Sequence, residues 1–186
     1  MYLTVQQLRK FGFSKVGKSC KISQKTSFYS VSGQIGNNVR IDDDVILKGR
    51  INLSSNVHLA RGCTLSGGEK GIFIQKFAAI SNFVQIFSSS DDYFYSTIPS
   101  ATLELKMRKK YSKIISKRIE IGKCVLIGSM SVILPGANIK NFSSVGAFCV
   151  VKKIIPEGYY FSSLNEFKKR DIKKFKNVFR KINKEL

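Results

Sequence analysis

The chain has 186 residues, 43% of them hydrophobic, with 32 basic residues against 12 acidic ones and a formal net charge of +20. That length suits one domain, or one domain with a small appendage, and it suffices to bury a real core. No run approaches the roughly 18 apolar residues of a membrane span, and the four cysteines (Cys20, Cys63, Cys124, Cys149) form no CxxC pair, so a cytoplasmic protein with packed, reduced thiols and no metal site is expected.

At the N-terminus the polar stretch TVQQLRK has no signal-peptide character. Thr4-Val5-Gln6-Gln7 has the form of a capping box and Gly12 suits a helix stop, which predicts a short helix over about residues 4–11. The helix would cover one open end of the fold behind it.

From residue 16 onward the chain repeats with a period of six. Val16, Ile22 and Phe28 fall six apart; after one extra residue come Ile35, Ile41, Leu47, Leu53, Leu59 and Leu65. Three residues are added in SGGEKG before Ile74, Ile80 and Ile86, and the step resumes at Ile121, Ile127, Ile133, Ile139, Val145 and Val151. Four positions after each ladder residue a small or β-branched side chain recurs, as at Val39, Val45, Val57, Cys63, Val84 and Val125. A period of six fits neither an amphipathic helix nor an alternating strand. It fits short extended segments joined by turns rich in Gly, Asn and Asp, with every sixth side chain aimed at a common axis. Three hexads closing a triangle give coils of about 18 residues, and about six such coils stack as parallel strands roughly 4.8 Å apart.

Continuing the step from Ile86 would place a hexad at 92, yet it resumes at 121, so 29 residues are inserted at one corner after the fourth coil. The inserted loop, about 87–118, opens with IFSSSDDYFY and closes with the basic run KMRKKYSKIISKR. A loop that long inside a compact domain points to function. Beyond about residue 158, Ser163-Leu164-Asn165-Glu166 has capping-box form, and Leu164, Phe167, Ile172, Phe175, Phe179, Ile182 and Leu186 recur at helical spacing. A helical appendage over 159–186 is therefore expected after a solenoid domain over 1–158. It would cap the last coil or pack on a neighbouring subunit; a basic amphipathic helix resting on anionic lipid is the alternative.

The hexads IGNNVR, IDDDVI, LARGCT, IGKCVL, IGSMSV and VGAFCV, with the interruption between them, resemble the hexapeptide-repeat acyltransferases. The resemblance implies an all-β, left-handed parallel β-helix. Within that family the combination HLARG…SGGEKGI…SSSDDY, with VGKSCKIS and VILPGANI on either side, is similar to the N-acyltransferases acting on dTDP-linked amino-deoxysugars. It covers most of the first 155 residues. Two stretches depart from the pattern: Phe94-Tyr95 stands where Ser-Gly commonly follows DDY, and FSSLNEF replaces a Gly-Ile-Pro-Ala segment after Pro156. The resemblance implies transfer of an acyl group, acetyl first, from coenzyme A to the amine of a nucleotide-linked sugar, in the service of surface polysaccharide synthesis. It also implies a homotrimer with sites between neighbours.

The residues themselves favour an amine acceptor. An alcohol attacking a thioester needs a base matched to neutral pH, usually histidine, and the chain has one histidine, His58, well before the loop. A zinc-dependent relative of the same fold would need three histidines, which is excluded. An amine is already nucleophilic once deprotonated, and a carboxylate can hold it and take its proton. Asp91 is the expected proton acceptor, with Asp92, Ser90 and Tyr93 as substrate-binding or loop-organising residues. For coenzyme A the resemblance points to Gly128, Ser129, Gly146 and Ala147 as backbone contacts, and to Lys152 and Lys153 for phosphates. The basic run 106–118 could meet a pyrophosphate or form a solvated charged face. Two other readings stay open: O-acetyl transfer to a glycan hydroxyl with His58 as base, and a non-enzymatic basic binding module. Nucleic acid is not an expected partner, because no aromatic residues interleave with the lysines in a stacking motif.

Overall fold

A computed structural model supplies the structure, described for residues 1–94, 98 and 102–185. Tyr95 and Leu186 lie outside those residues. The chain coils into a triangular solenoid whose three faces are parallel ladders. On the first face, strands ending at Ile22, Ile41, Leu59, Ile80, Ile127, Val145 and Phe161 stack in register. On the second, Val16, Ile35, Leu53, Ile74, Ile121, Ile139 and Ile155 do so. The third carries Phe28, Leu47, Leu65, Ile86, Ile133 and Val151. Two faces thus hold seven rungs and the third six, in line with about six full coils.

The hexad ladder is the core. Of its eighteen predicted positions all but Val16 and Phe28 are at most 3% exposed. Side chains alternate along each strand, so the residue two before each ladder position also points inward, and Val39, Val45, Val57, Cys63, Val84 and Val125 are equally buried. Each Leu or Ile so buried contributes about 1.5–3 kcal/mol.

The corners turn at a position that the hexad ladder does not mark. The third residue after a ladder residue repeatedly takes a left-handed conformation: Asn38 (φ 54°), Asp44 (61°), Asn56 (60°), Phe77 (62°), Phe83 (58°), Cys124 (54°), Met130 (58°), Phe142 (59°) and Phe148 (55°). Asn and Asp tolerate this region; for Phe and Met it costs about 1–3 kcal/mol each. The ladder holds them there. Phe83, Met130 and Phe148 each donate their backbone N–H to the coil below, at 3.0 Å in all three cases.

Both ends are covered. Helix α1, Val5–Lys10, starts on Thr4, whose capping box with Gln7 is complete, and it buries Leu8 on the first coil. At the other end the expected helix start at Ser163 gives way to a turn. Asn165 (φ 61°) closes a hairpin in which Phe167–Lys169 pairs antiparallel with Tyr159–Phe161. The last rung has an open edge of unpaired backbone groups, and satisfying it outweighs a local helix preference. The C-terminal helix forms later, at Lys173–Glu185, with the Asp171 carboxylate accepting from the Lys173 N–H at 3.0 Å.

That helix lies along a corner of the prism instead of across its end. Phe179 meets Phe77 and Phe142 edge-on, each at 5.6 Å between ring centroids, and Phe175 also meets Phe142 at 5.6 Å. The bulky corner residues create an apolar stripe there, and the helix covers it. Phe175 and Phe179 are thereby committed to protein packing, while Val178 and Ile182 on the same helix stay partly exposed.

Candidate active site

The inserted loop leaves at the corner between the third and second faces. Its base is a two-stranded antiparallel hairpin, Ser89–Asp91 with Ile114–Ser116, pairing Ser89 with Ser116 and Asp91 with Ile114. Helix α2, Leu105–Tyr111, lies beyond it. The hairpin is seated on the SGGEKG turn one coil below, which carries its own three-residue insertion at the same corner. Ser88 is fully buried there: its hydroxyl donates to the Gly67 carbonyl, its N–H to Ser66 O at 2.9 Å, and its carbonyl accepts from Lys117 N–H. A Cβ at Gly67 would sit 2.1 Å from the Arg50 carbonyl, so only glycine admits this seat.

The two aspartates are placed differently. Asp91 ends its strand with an exposed side chain. Asp92 is turned inward with a side chain 5% exposed; its carboxylate accepts from the Phe94 N–H at 2.9 Å and lies 3.4 Å from Lys113 Nζ. Its own N–H donates to the Lys113 carbonyl, so Asp92 ties the two hairpin strands together. The Ser90 hydroxyl donates to the Asp91 carbonyl at 3.2 Å, and Tyr93 is 84% exposed.

His58 sits on the first face, opposite the corner from which the hairpin leaves. Within one chain it does not share a face with Asp91. Its Nε2 lies 2.8 Å from Asp42 Oδ2, while Arg40 Nε donates to the other oxygen at 2.7 Å. Burial raises the Asp42 pKa, but the hydrogen bonds from His58 and Arg40 outweigh it and hold the carboxyl below its usual range. Asp42 was not singled out from sequence. The coil period could have found it, because one turn of the solenoid brings Arg40 into register with His58, two residues from Asp42.

The residues proposed for coenzyme A flank the third face near the C-terminal end. Gly128-Ser129 and Gly146-Ala147 stack at one of its corners; a Cβ at Gly128 would meet Ala147 N at 2.4 Å. The N–H groups of Gly128 and Gly146 serve the coil-to-coil ladder, donating to Val145 and Phe161. Lys152 and Lys153 lie at the other corner, with Lys153 Nζ 4.8 Å from the Phe167 ring. Between them Val150 is exposed, and Phe83, Met130 and Phe148 form an exposed apolar column beside it. Among the described residues no group of three His, Cys, Asp or Glu could hold a metal ion, and no helix is long and apolar enough to cross a membrane.

An acidic hairpin rising from the middle of a hexapeptide solenoid narrows the comparison. The chain is 36% identical over 156 residues to dTDP-4-amino-4,6-dideoxy-D-glucose acyltransferase from Escherichia coli, covering 82% of this chain and 79% of that one. The chain belongs to this family of amino-sugar acyltransferases. A single-residue variant of AntD, an N-acyltransferase from Bacillus cereus, superimposes with a TM-score of 0.90 at 31% identity, over 100% of this chain and 98% of that one. It was crystallised with dTDP-4-amino-4,6-dideoxyglucose and coenzyme A. AntD with dTDP and 3-hydroxybutyryl-CoA matches with a TM-score of 0.86 at 32% identity over 98% of both chains. The acetyltransferase domain of PglB from Neisseria gonorrhoeae shares the fold alone, with a TM-score of 0.57 at 16% identity over 81% of this chain and 57% of that one. No protein-family model matches. A left-handed β-helix is consistent with these acyltransferase structures, and the departures at Phe94 and after Pro156 lie within an otherwise full-length match.

Proposed function

We propose that this acyltransferase moves an acyl group from a coenzyme A thioester to the amine of a dTDP-linked amino-deoxysugar, with Asp91 receiving the proton. The observation that carries the reading is the split between the two aspartates: one buried and structural, the other held exposed at the tip of a braced strand. The neutral amine attacks the thioester carbonyl, the C–S bond breaks as the C–N bond forms, the amine proton passes to Asp91, and the thiolate leaves as coenzyme A. A sulfur leaving group with a thiol pKa near ~8.5 needs little assistance. Asp92 shapes the loop, and Ser90 and Tyr93 meet the sugar.

The thioester arm is assigned to the third face, where exposed Val150 suits the pantetheine chain and Lys152 and Lys153 suit phosphates. The exposed column Phe83, Met130 and Phe148 supports a homotrimer, since contiguous apolar surface of this kind marks an interface. A neighbour's first face would then close the site across from Asp91. The product would serve surface polysaccharide synthesis, and a cytoplasmic setting would supply acyl-CoA.

One observation favours a second reading: His58 is oriented by Asp42, as a general base would be. On that reading a glycan hydroxyl is the acceptor. Release of free thiol from acetyl-CoA, measured with several dTDP-amino sugars against glycans lacking the amine, decides between the two. Folded protein releasing no thiol with any amino sugar defeats the proposal.

A further inference from the structure

The C-terminal helix carries a charge pattern that its packing does not use. Between Lys173 and Lys184 the sequence places six basic residues and no acidic one. Lys176 reaches Glu157 at 2.5 Å, but Lys173, Lys174, Arg180, Lys181 and Lys184 are exposed and form no ion pair among the described residues. Their positions oppose the helix itself. Lys173, Lys174 and Lys176 crowd the first turn, where the positive end of the helix dipole repels cations and no acidic residue offsets them. Lys176, Arg180 and Lys184 recur at four-residue steps, which sets like charges side by side. A helix whose whole task was to cover Phe77 and Phe142 would be more stable without them.

Helical geometry fixes where the charges face. At about 100° per residue, Phe175 and Phe179 lie on the docked side, and Lys173, Arg180 and Lys184 lie opposite. On one flank Val178, 44% exposed, stands one turn from both Lys174 and Lys181. Ile182, 39% exposed, follows one turn later. Lys123, exposed beside Cys124 at the corner the helix covers, extends the same positive field. Because the helix lies lengthwise along the prism, this strip of cations with two aliphatic side chains among them is presented flat.

We propose that this strip docks the protein on an anionic bilayer surface, reversibly and without crossing it. A cluster of lysines on an amphipathic helix is drawn to anionic headgroups, and partly exposed aliphatic side chains enter the headgroup boundary. Five of the six cations are lysines, compact point charges that suit a fluid array of headgroups better than a fixed, forked contact. A nucleic acid offers the same phosphate charge. The helix aromatics that would stack on its bases, however, are held against Phe77 and Phe142. None of these residues belongs to the inserted loop or to the thioester arm, so the inference stands apart from the choice of acceptor.

Flotation with vesicles of phosphatidylcholine, alone or mixed with about one-third phosphatidylglycerol, tests the surface. Wild-type protein should float with the anionic vesicles only, and should be released as salt rises from about 0.1 M to about 0.5 M. The variant Lys174→Gln/Arg180→Gln/Lys181→Gln/Lys184→Gln should lose ~10²-fold in vesicle affinity. A control of equal net charge, Arg9→Gln/Lys10→Gln/Lys21→Gln/Lys48→Gln, removes exposed cations of the N-terminal coils and should bind as wild type does. Equal losses in the two variants would reduce the effect to diffuse attraction by net charge and overturn the proposal. So would wild-type protein that ignores anionic vesicles, or a helix variant that floats unchanged. Wild-type protein that binds an RNA oligonucleotide through the same four residues, but no vesicle, makes nucleic acid the partner and defeats the bilayer. If circular dichroism shows the fourfold helix variant unfolded, Lys181→Gln/Lys184→Gln provides the same contrast with a smaller loss.

Discussion

Asp42 holds His58 by a 2.8 Å contact to Nε2, one coil removed in sequence and on the face opposite the acidic hairpin. The pair has the form of a base and its orienting carboxylate, yet Arg40 claims the other Asp42 oxygen, which makes the trio an ion-pair cluster as much as a catalytic one. Which of His58 and Asp91 handles the proton is thus an experimental contrast between two separately placed groups. We expect Asp91→Asn to lower kcat by about 10²–10⁴-fold with a small change in KM, and His58→Asn to leave kcat nearly intact. The reverse pattern in steady-state kinetics assigns the base to His58 and the acceptor to a hydroxyl.

The same carboxylate sets an acid limit on stability. Asp42 has its folded pKa lowered, net of burial, by His58 and Arg40, and Asp43 is lowered chiefly by the Ser23 hydroxyl and Lys25. A depressed carboxyl pKa contributes stability that is fully present above the unfolded value near ~3.9 and is lost as pH falls through the folded value. The thermal midpoint should hold from pH 7 to about pH 4 and fall below it. In Asp42→Asn that fall should be shallower; an unchanged acid limb in calorimetric scans would show that this cluster is not its source.

Asp92 braces the hairpin from within. Replacing it by Ala removes the carboxylate that accepts from the Phe94 N–H and lies 3.4 Å from the half-exposed Lys113 Nζ, at a cost of about 1–3 kcal/mol confined to the loop. Trypsin should then cut the basic run 106–118 faster in Asp92→Ala, while the circular dichroism midpoint of the solenoid barely moves. Equal cleavage rates in the two proteins would remove Asp92 from the brace.

The thiols report on packing. Burial pushes the Cys63 and Cys124 thiols up to about 11. Neither should react with Ellman's reagent at pH 8 in native protein, whereas half-buried Cys20 should react first. Cys124 lies under the C-terminal helix, in a cavity shared with Phe77, Phe175 and Phe179. Weakening the docked helix through Phe179→Ala by about 1.4 kcal/mol should speed Cys124 labelling about tenfold and leave Cys63 protected. Mass spectrometry of the labelled peptides distinguishes the two sites.

The C-terminal region shows where local signals stop short. Ser163 through Glu166 has every residue a capping box needs, yet the open edge of the rung at Tyr159–Phe161 draws the next segment into a hairpin. Phe175 and Phe179 were legible as one apolar stripe, but the stripe does not say what it covers. That answer lay in Phe77 and Phe142, corner residues whose left-handed backbone turns their rings outward. At the candidate site the sequence separated Asp91, as proton acceptor, from Asp92, as a loop-organising or substrate-binding residue, but not the inward turn of the Asp92 side chain toward Lys113, twenty-one residues away. Arg118 was legible only as the end of the basic run 106–118, and not as a cation stacked on the Phe73 ring.

The sequence by itself determined the solenoid, its coil length, the corner that carries the loop and the family. A period of six with inward apolar residues admits one regular solution, since any other path would expose the ladder. The tertiary structure alone decided which side chains meet across coils, because contacts 16 to 45 residues apart, from Asp42–His58 to Arg50 and Arg118 on Phe73, are set by stacking register and by what each corner leaves uncovered. Periodicity along the chain encodes the first. Only the lateral packing of neighbouring coils holds the second.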